Sequence, residues 1–154
     1  MNSEKKQEFT RRITQANSTE MIIILYDMTL EYITEAKASE NSEDYHAAIG
    51  HIQGCISELQ ASLNYEYEPA PAMGQLYRYC LRRVAAGEIK NDPSILDEVV
   101  KVIQPLRDAY DKIKGENTAG PVMGNSQEVY AGLTYGRNDI TENYVEQSNR
   151  GFRV

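Results

Sequence analysis

The stretch YHAAIGHIQGCISELQASL, residues 45–63, decides the fold. Its large apolar side chains recur in alternating steps of four and three residues, at Tyr45, Ile49, Ile52, Ile56, Leu59 and Leu63. This spacing places them along one face of an α-helix with about 3.6 residues per turn. The same pattern returns at Leu96, Val99, Ile103, Leu106, Tyr110 and Ile113. Faces of this kind need apolar partners, so the sequence predicts packed helices.

Two further helices, at about residues 18–39 and 71–86, complete the prediction. Asn17 followed by Glu20 is a capping-box signal for the start of the first helix in the chain. Asp92-Pro93 is the start signal of the last helix, which carries the second pattern described above. The four predicted helices cover about residues 18–39, 42–64, 71–86 and 93–114. Their connections are short and polar, which favours antiparallel neighbours. The predicted fold is therefore all-α, an antiparallel up-down four-helix bundle, with a bend where Pro105 interrupts the last helix.

The composition changes at both ends of the bundle. Residues 1–16 are polar, with Phe9 and Ile13 as their large apolar side chains, and are predicted to form a flexible N-terminal arm. Residues 17–115 form the helical domain. Residues 116–154 are an irregular C-terminal tail, rich in glycine and asparagine but also carrying several large apolar residues. Docking of this tail on the bundle and plain disorder are both compatible with its sequence.

Charge and hydropathy exclude several classes of function. The chain has 154 residues and a net charge of −7, so it repels phosphate backbones and nucleic acid is not an expected partner. Its longest apolar run, residues 21–26, is too short to span a bilayer, and no signal peptide is visible. Cys55 and Cys80 lie among apolar neighbours and are predicted to be buried free thiols. These features predict a cytoplasmic protein.

Catalytic and metal-binding patterns are weak. Glu43 and His46 have the E-x-x-H spacing of bundle metal sites, but Ala48 lies three residues before His51, so no second copy exists. His51 and Cys55 share a helix face without a second pair of ligands. No nucleophile elbow or phosphate-binding glycine loop is present. We therefore expect no enzyme activity and no cofactor, and keep a metal or redox bundle as the less favoured alternative.

The first predicted helix is apolar over an unusually wide arc. With Ile22 as the reference direction and about 100° per residue, the core side holds Leu25, Tyr26, Thr29, Ile33 and Ala36. Apolar side chains flank it on both sides, with Ile23 and Leu30 on one, and Met21, Met28 and Tyr32 on the other, while Ile24 lies further round. Either both sides are buried within the bundle, or one forms a groove for another chain. The arm with Phe9 and Ile13 is a candidate cover for an empty groove.

At these residues the sequence resembles the flagellar export chaperone FliS family. The resemblance is carried by residues 21–27 (MIIILYD, with a leucine-tyrosine-aspartate signature), 56–59 (ISEL), 62–64 (SLN), 76–79 (LYRY), 82–83 (RR), 90–92 (KND), 96–99 (LDEV) and 106–110 (LRDAY). It covers about residues 9–114 in the correct order. Departures from the family pattern are Ser18, Met28, Arg78, Gly87-Glu88 and Tyr110.

The resemblance implies a chaperone that binds the C-terminal segment of newly made flagellin in the cytoplasm. It would prevent premature polymerisation and assist delivery to the flagellar export apparatus. The expected contact residues are Ile13, Met21, Leu25, Tyr26, Met28, Leu76, Tyr77 and Tyr79. Those on the first and third predicted helices fit the bundle core equally well. A self-associating structural or regulatory bundle is the other candidate function, and the sequence leaves the choice between monomer and dimer open.

Overall fold

The computed structural model describes residues 1–123. Its α-helices are α1 (Ser3–Gln15), α2 (Ser18–Ala38), α3 (Ser42–Ala61), α4 (Ala70–Ile89) and α5 (Leu96–Ile113), and short 3₁₀ turns occupy Pro93–Ile95 and Lys114–Glu116. The predicted all-α class is confirmed, since the described part of the chain contains no strand. The prediction that the tail docks on the bundle lies, beyond residue 123, outside the described residues.

The predicted start of α2 is confirmed in atomic detail. The backbone N–H of Glu20 donates to Asn17 Oδ1 at 2.9 Å, and the backbone N–H of Asn17 donates to Glu20 Oε1 at 3.2 Å. This reciprocal pair satisfies two of the four N–H groups that lack partners at a helix start. α2 therefore begins at a fixed residue and with a fixed direction.

The connection between α4 and α5 differs from the prediction in two details. α4 continues through Gly87 to Ile89, and the Gly87 carbonyl accepts hydrogen bonds from the Tyr45 hydroxyl (2.8 Å) and the Asp92 N–H (3.0 Å). Asn91 adopts a left-handed conformation with φ 51°, which lets the chain turn sharply after the helix. Asp92 then caps Ser94, so the turn at Pro93 is 3₁₀ and α5 begins at Leu96.

The N-terminal segment differs most from its prediction. Residues expected to form a flexible arm form helix α1. Its N-cap is Asn2, whose Oδ1 accepts the Lys5 N–H at 2.9 Å. The apolar residues Phe9 and Ile13 are four apart, so a helix presents both on one side. That side packs against α2, and the tertiary contact explains why a polar segment is helical. The proposed division into arm, domain and tail stays a prediction.

The helices after α1 form a closed ring of neighbours, in which α2 contacts α3, α3 contacts α4, α4 contacts α5 and α5 contacts α2. The contacts between α2 and α5 include Asp27 with Arg107 and Lys37 with Asp97, and those between α4 and α5 include Met73 with Tyr110 and Arg83 with Glu98. In both pairs residue numbers rise along one helix while they fall along the other. Antiparallel neighbours give this order.

The predicted apolar faces of α3 and α5 line the main core, except for Ile113 at the end of α5, which is 47% exposed. Its buried residues are Ile22, Tyr26, Ile33, Ala36, Tyr45, Ala48, Ile49, Ile52, Ile56, Leu59, Met73, Tyr77, Cys80, Val84, Leu96, Val99 and Ile103. Both cysteines are buried free thiols, as predicted. α5 remains one continuous helix through Pro105, and the predicted bend there stays a prediction. The core thus fixes α2 by one face and leaves its other face to be covered separately.

Candidate partner-binding site

A second, smaller apolar cluster lies on the side of α2 that faces α1. Ala16, Met21 and Ile24 are its buried members, and Phe9, Ile13 and Met28 pack against them while remaining partly exposed. We call these six residues the satellite cluster. It contains none of the main-core residues, so α2 buries two separate apolar faces. The wide apolar arc of α2 is therefore explained by two coverings, the bundle on one side and α1 on the other.

α1 is attached to α2 by contacts that are largely open to solvent. None of the thirteen residues of α1 is buried. Its charged side chains pair with α2 through Lys5 with Glu31 and through Arg12 with Asp27, the latter at 2.7 Å. Partly exposed pairs of this kind contribute about 1 kcal/mol or less each. A helix of this length is only marginally stable alone, so α1 depends on the satellite cluster for its structure.

Asp27 joins three helices at the edge of the satellite cluster. Its two carboxylate oxygens accept from Arg12 of α1 at 2.7 Å and from Arg107 of α5 at 2.8 Å. The pKa of Arg107 is raised above its usual value, and the hydrogen bond to Asp27 is the largest cause. An aspartate between two guanidinium groups holds α1 against both α2 and α5 without burying any of the three charges completely.

A cavity of about 240 Å³ lies where α1, α2 and α5 meet. Its lining residues are Arg12, Gln15, Ala16, Glu20, Ile23, Ile24, Arg107, Asp111 and Lys114. The lining combines apolar side chains of α2 with charged side chains of α1 and α5, so the cavity has an apolar side and a charged side. The end of α1 nearest α2's first turn is thus incompletely packed.

The structure separates the predicted contact residues into three groups. Ile13, Met21 and Met28 belong to the satellite cluster. Leu25 and Tyr79 are partly buried against the main core, and Leu76 of α4 is 39% exposed. Tyr26 and Tyr77 are 0% and 1% exposed and lie inside the bundle. The set is therefore not one continuous surface in this structure.

Tyr26 and Tyr77 form a buried joint between α2 and α4. Their hydroxyl oxygens are 2.5 Å apart, and the ring of Tyr110 meets Tyr26 edge-on with 5.7 Å between the ring centres. Desolvation raises the pKa of both tyrosines. The interaction with Tyr77 raises the pKa of Tyr26 further, whereas the hydrogen bond with Tyr26 partly opposes the rise at Tyr77. Both hydroxyls therefore stay neutral and bond to each other. A partner reaches them only if the bundle opens.

Sequence reasoning left three members of the satellite cluster out of the contact set: Phe9, Ala16 and Ile24. The signal for Ile24 was present, because an apolar residue so far round α2 from the core direction needs a second covering. The signal for Phe9 was its spacing of four from Ile13. The link from Asp27 to Arg107 joins residues 80 positions apart and has no local signature.

The residues considered for metal binding have other neighbours. The His51 ring stacks on Tyr32 with 4.6 Å between the ring centres, and His46 Nδ1 lies 3.5 Å from a carboxylate oxygen of Glu88. Cys55 is buried, and burial raises the pKa of its thiol to about 11. Within residues 1–123 no group of three or more histidine, cysteine, aspartate or glutamate side chains is placed to hold a metal ion.

Comparisons with known proteins connect this architecture to one family. The sequence model described as flagellar protein FliS matches residues 1–117. The flagellar secretion chaperone FliS of Bacillus subtilis (strain 168) is 31% identical over 101 residues, covering 64% of this chain and 76% of that protein. The protein of the same name from Vibrio cholerae serotype O1 is 24% identical over 117 residues, covering 73% and 86%. Flagellar secretion chaperone FliSB of Pseudomonas aeruginosa is 28% identical over 107 residues, covering 66% and 85%.

Both α1 and the satellite cluster lie within the matched residues. The names of all three relatives describe a secretion chaperone and no catalytic activity. Among residues 1–123, no helix has both the length and the apolar character needed to cross a membrane.

Proposed function

This chain belongs to the flagellar secretion chaperone FliS family, and from that premise we propose that it binds the C-terminal segment of flagellin in the cytoplasm. In this role it keeps flagellin from polymerising prematurely and assists its delivery to the flagellar export apparatus. The family is one of chaperones and not of enzymes, so the function to be explained is recognition of a polypeptide.

The observation that carries this proposal is the satellite cluster. α2 presents Met21, Ile24 and Met28 outside the main core, and the bundle itself leaves this face uncovered. A helix of the same chain covers the face through two partly buried side chains, Phe9 and Ile13. An amphipathic helix of another protein can cover it in the same way, with apolar residues spaced three and four apart.

We propose that the flagellin segment takes the place of α1 on α2. The main core does not contain α1, so its departure leaves the ring of α2 to α5 intact. Because only molecules with α1 released can bind, the apparent affinity for flagellin is the intrinsic affinity multiplied by the released fraction. When no flagellin is bound, α1 keeps the apolar face of α2 covered, and this limits self-association.

The proposal accounts for the prevention of polymerisation in physical terms. An amphipathic segment that buries its apolar face only in an assembly exposes that face in a monomer. Covering it on α2 removes the surface through which subunits would associate. Release at the export apparatus then returns α1 to its place, so a folded, covered form of the chaperone exists before and after each cycle.

The remaining predicted residues have different roles in this proposal. Leu25, Leu76 and Tyr79 border the bundle surface and are proposed as additional contacts for a segment that extends beyond α2. Tyr26 and Tyr77 are proposed to act by setting the spacing of α2 and α4, since both are buried. The proposed primary contacts are therefore Met21, Ile24 and Met28.

Calorimetry with a flagellin C-terminal peptide tests the proposal. Met28→Ser removes an apolar side chain from the proposed contact, and we expect the affinity to fall about tenfold. Ile89→Ser is the matched control, because Ile89 is 84% exposed at the far end of α4 and its loss is expected to leave binding unchanged. Equal binding by the two variants would place the contact elsewhere.

A second arm of the test concerns the partner. Flagellin lacking its C-terminal segment is expected not to co-purify with the full-length chaperone. Retention at full strength would refute the proposed mode of binding while leaving the family assignment intact. Sedimentation at several concentrations, run alongside, distinguishes a monomer from the self-associating bundle that is the other candidate.

A further inference from the structure

The segment that follows α5 returns to the junction between α1 and α2. Ala16 and Asn17 form this junction, which we call the hinge, and both are buried, with exposures of 1% and 6%. The backbone N–H of Val122 donates to the Ala16 carbonyl at 2.9 Å, and Asn17 Nδ2 donates to the Asn117 carbonyl at 3.2 Å. Since Ala16 is the C-cap of α1, the returning segment supplies a partner for the end of that helix.

Asn117 makes further hydrogen bonds to the first turn of α2. Its side-chain Nδ2 donates to Ser18 Oγ at 3.2 Å and to Thr19 Oγ1 at 2.9 Å, while its Oδ1 accepts the Ala119 N–H at 3.0 Å. Both ends of the amide are therefore engaged. The side chain is held by its own segment on one side and holds α2 on the other.

These bonds are not needed to cap α2. The capping bonds of α2 come from the reciprocal pair of Asn17 and Glu20, whereas Asn117 Nδ2 donates to the hydroxyl groups of Ser18 and Thr19 and to no backbone group of α2. The bonds from Asn117 instead join residues that are 98 to 100 positions apart in sequence. One short segment is thereby bonded to α1 through Ala16 and to α2 through Ser18 and Thr19, on both sides of the hinge.

We propose that residues 117–122 restrain the hinge and so oppose the release of α1 from the satellite cluster. When α1 leaves α2 as a helix, the chain rotates about Ala16 and Asn17, and that rotation carries the Ala16 carbonyl away from the Val122 N–H. The C-terminal segment thus sets how often the apolar face of α2 is exposed. Its consequence for flagellin binding rests on the function proposed above, whereas the restraint itself concerns this chain alone.

Hydrogen exchange of the α1 amides measures the restraint without any partner. Asn117→Ala removes the two donations to Ser18 and Thr19, and we expect exchange over residues 7–15 to accelerate about tenfold. The double variant Ser18→Ala/Thr19→Ala removes the acceptors of the same bonds and is expected to give a similar acceleration. Combining all three substitutions should add little, because each set breaks the same interaction.

Asn64→Ala is the matched control. Asn64 Oδ1 accepts the Glu66 N–H in the loop between α3 and α4, an equivalent asparagine turn remote from the hinge. Amides of Ile103 and its neighbours in the buried part of α5 report on global stability in every variant. We expect α1 to exchange faster in the Asn117 variant and not in the Asn64 variant, with α5 unchanged in both.

Unchanged α1 exchange in the Asn117 variant would overturn the restraint, as would equal acceleration in α1 and α5, which indicates general destabilisation. The flagellin C-terminal peptide is then titrated into the same proteins. Faster α1 exchange with tighter peptide binding supports both proposals. Faster α1 exchange with unchanged peptide binding supports the restraint and contradicts the proposed displacement of α1, so the two failures are distinguishable.

Discussion

At the scale of single residues, the buried pair Tyr26 and Tyr77 is the clearest departure from a partner-contact role. Helical periodicity identifies the side of α2 and α4 on which these residues lie, but it carries no information on the depth of either side chain. The structure supplies that depth, since their hydroxyls bond to each other at 2.5 Å in the main core. The presence of both tyrosines thus has a packing explanation in this chain.

The two hydroxyls should be energetically coupled. Tyr26→Phe or Tyr77→Phe alone leaves one buried hydroxyl without its partner, and we expect each to lower the free energy of unfolding by about 1 to 3 kcal/mol. The double variant should lose clearly less than the sum, because no unpaired hydroxyl remains. Urea unfolding of the four proteins measures this, and strictly additive losses would contradict the coupling.

At the scale of helices, α1 shows what sequence periodicity does not reveal. The later helices could be predicted because each carries apolar residues over about three or more turns, enough to fix their phase. α1 carries two, Phe9 and Ile13, on an otherwise polar segment. Its helicity depends on a face of α2 that becomes available only after folding. The N-cap signal at Asn2 was present but too weak alone to indicate a helix.

Loss of the Phe9 side chain should release α1 and increase binding. Phe9→Ser removes one of the two side chains by which α1 covers Met21, Ile24 and Met28 of α2, and we expect the apparent affinity for the flagellin peptide to rise several-fold. Glu8→Ser changes an exposed neighbour on the same helix and serves as the control. Weaker binding by the Phe9 variant, measured by calorimetry, would show that Phe9 itself contacts flagellin.

The second prediction at this scale concerns α5. Pro105 is exposed and lies within a helix that continues on both sides of it. Proline removes a backbone hydrogen bond there and is intrinsically unfavourable in helix interiors. Pro105→Ala is therefore expected to raise the free energy of unfolding by about 1 kcal/mol or more. An unchanged or lower denaturant midpoint would mean that α5 is shaped to accommodate the proline.

At the scale of the whole molecule, the bundle buries ionisable groups that have no role in binding. Cys55 and Cys80 lie inside the described core, and burial raises the pKa of each thiol to about 11. Neither thiol is a reactive site while the ring of helices is closed, because the thiolate is the reactive form and a raised pKa keeps the thiol protonated. Their effect is instead on the stability of the bundle as a function of pH.

The sign of that effect follows from proton linkage. Between the ordinary thiol pKa of 9.0 and the raised value of about 11, the folded state keeps protons that the unfolded chain has lost. Stability is therefore lost as the pH rises through this window, by about 1 kcal/mol per thiol at pH 10. Urea unfolding at pH 8, 9 and 10 measures the slope. Cys55→Ala/Cys80→Ala is expected to be less stable at pH 8 but to lose stability more slowly. A slope equal to that of the unaltered protein would attribute the alkaline loss to other groups, among them the buried hydroxyls of Tyr26 and Tyr77, since desolvation also raises the pKa of both.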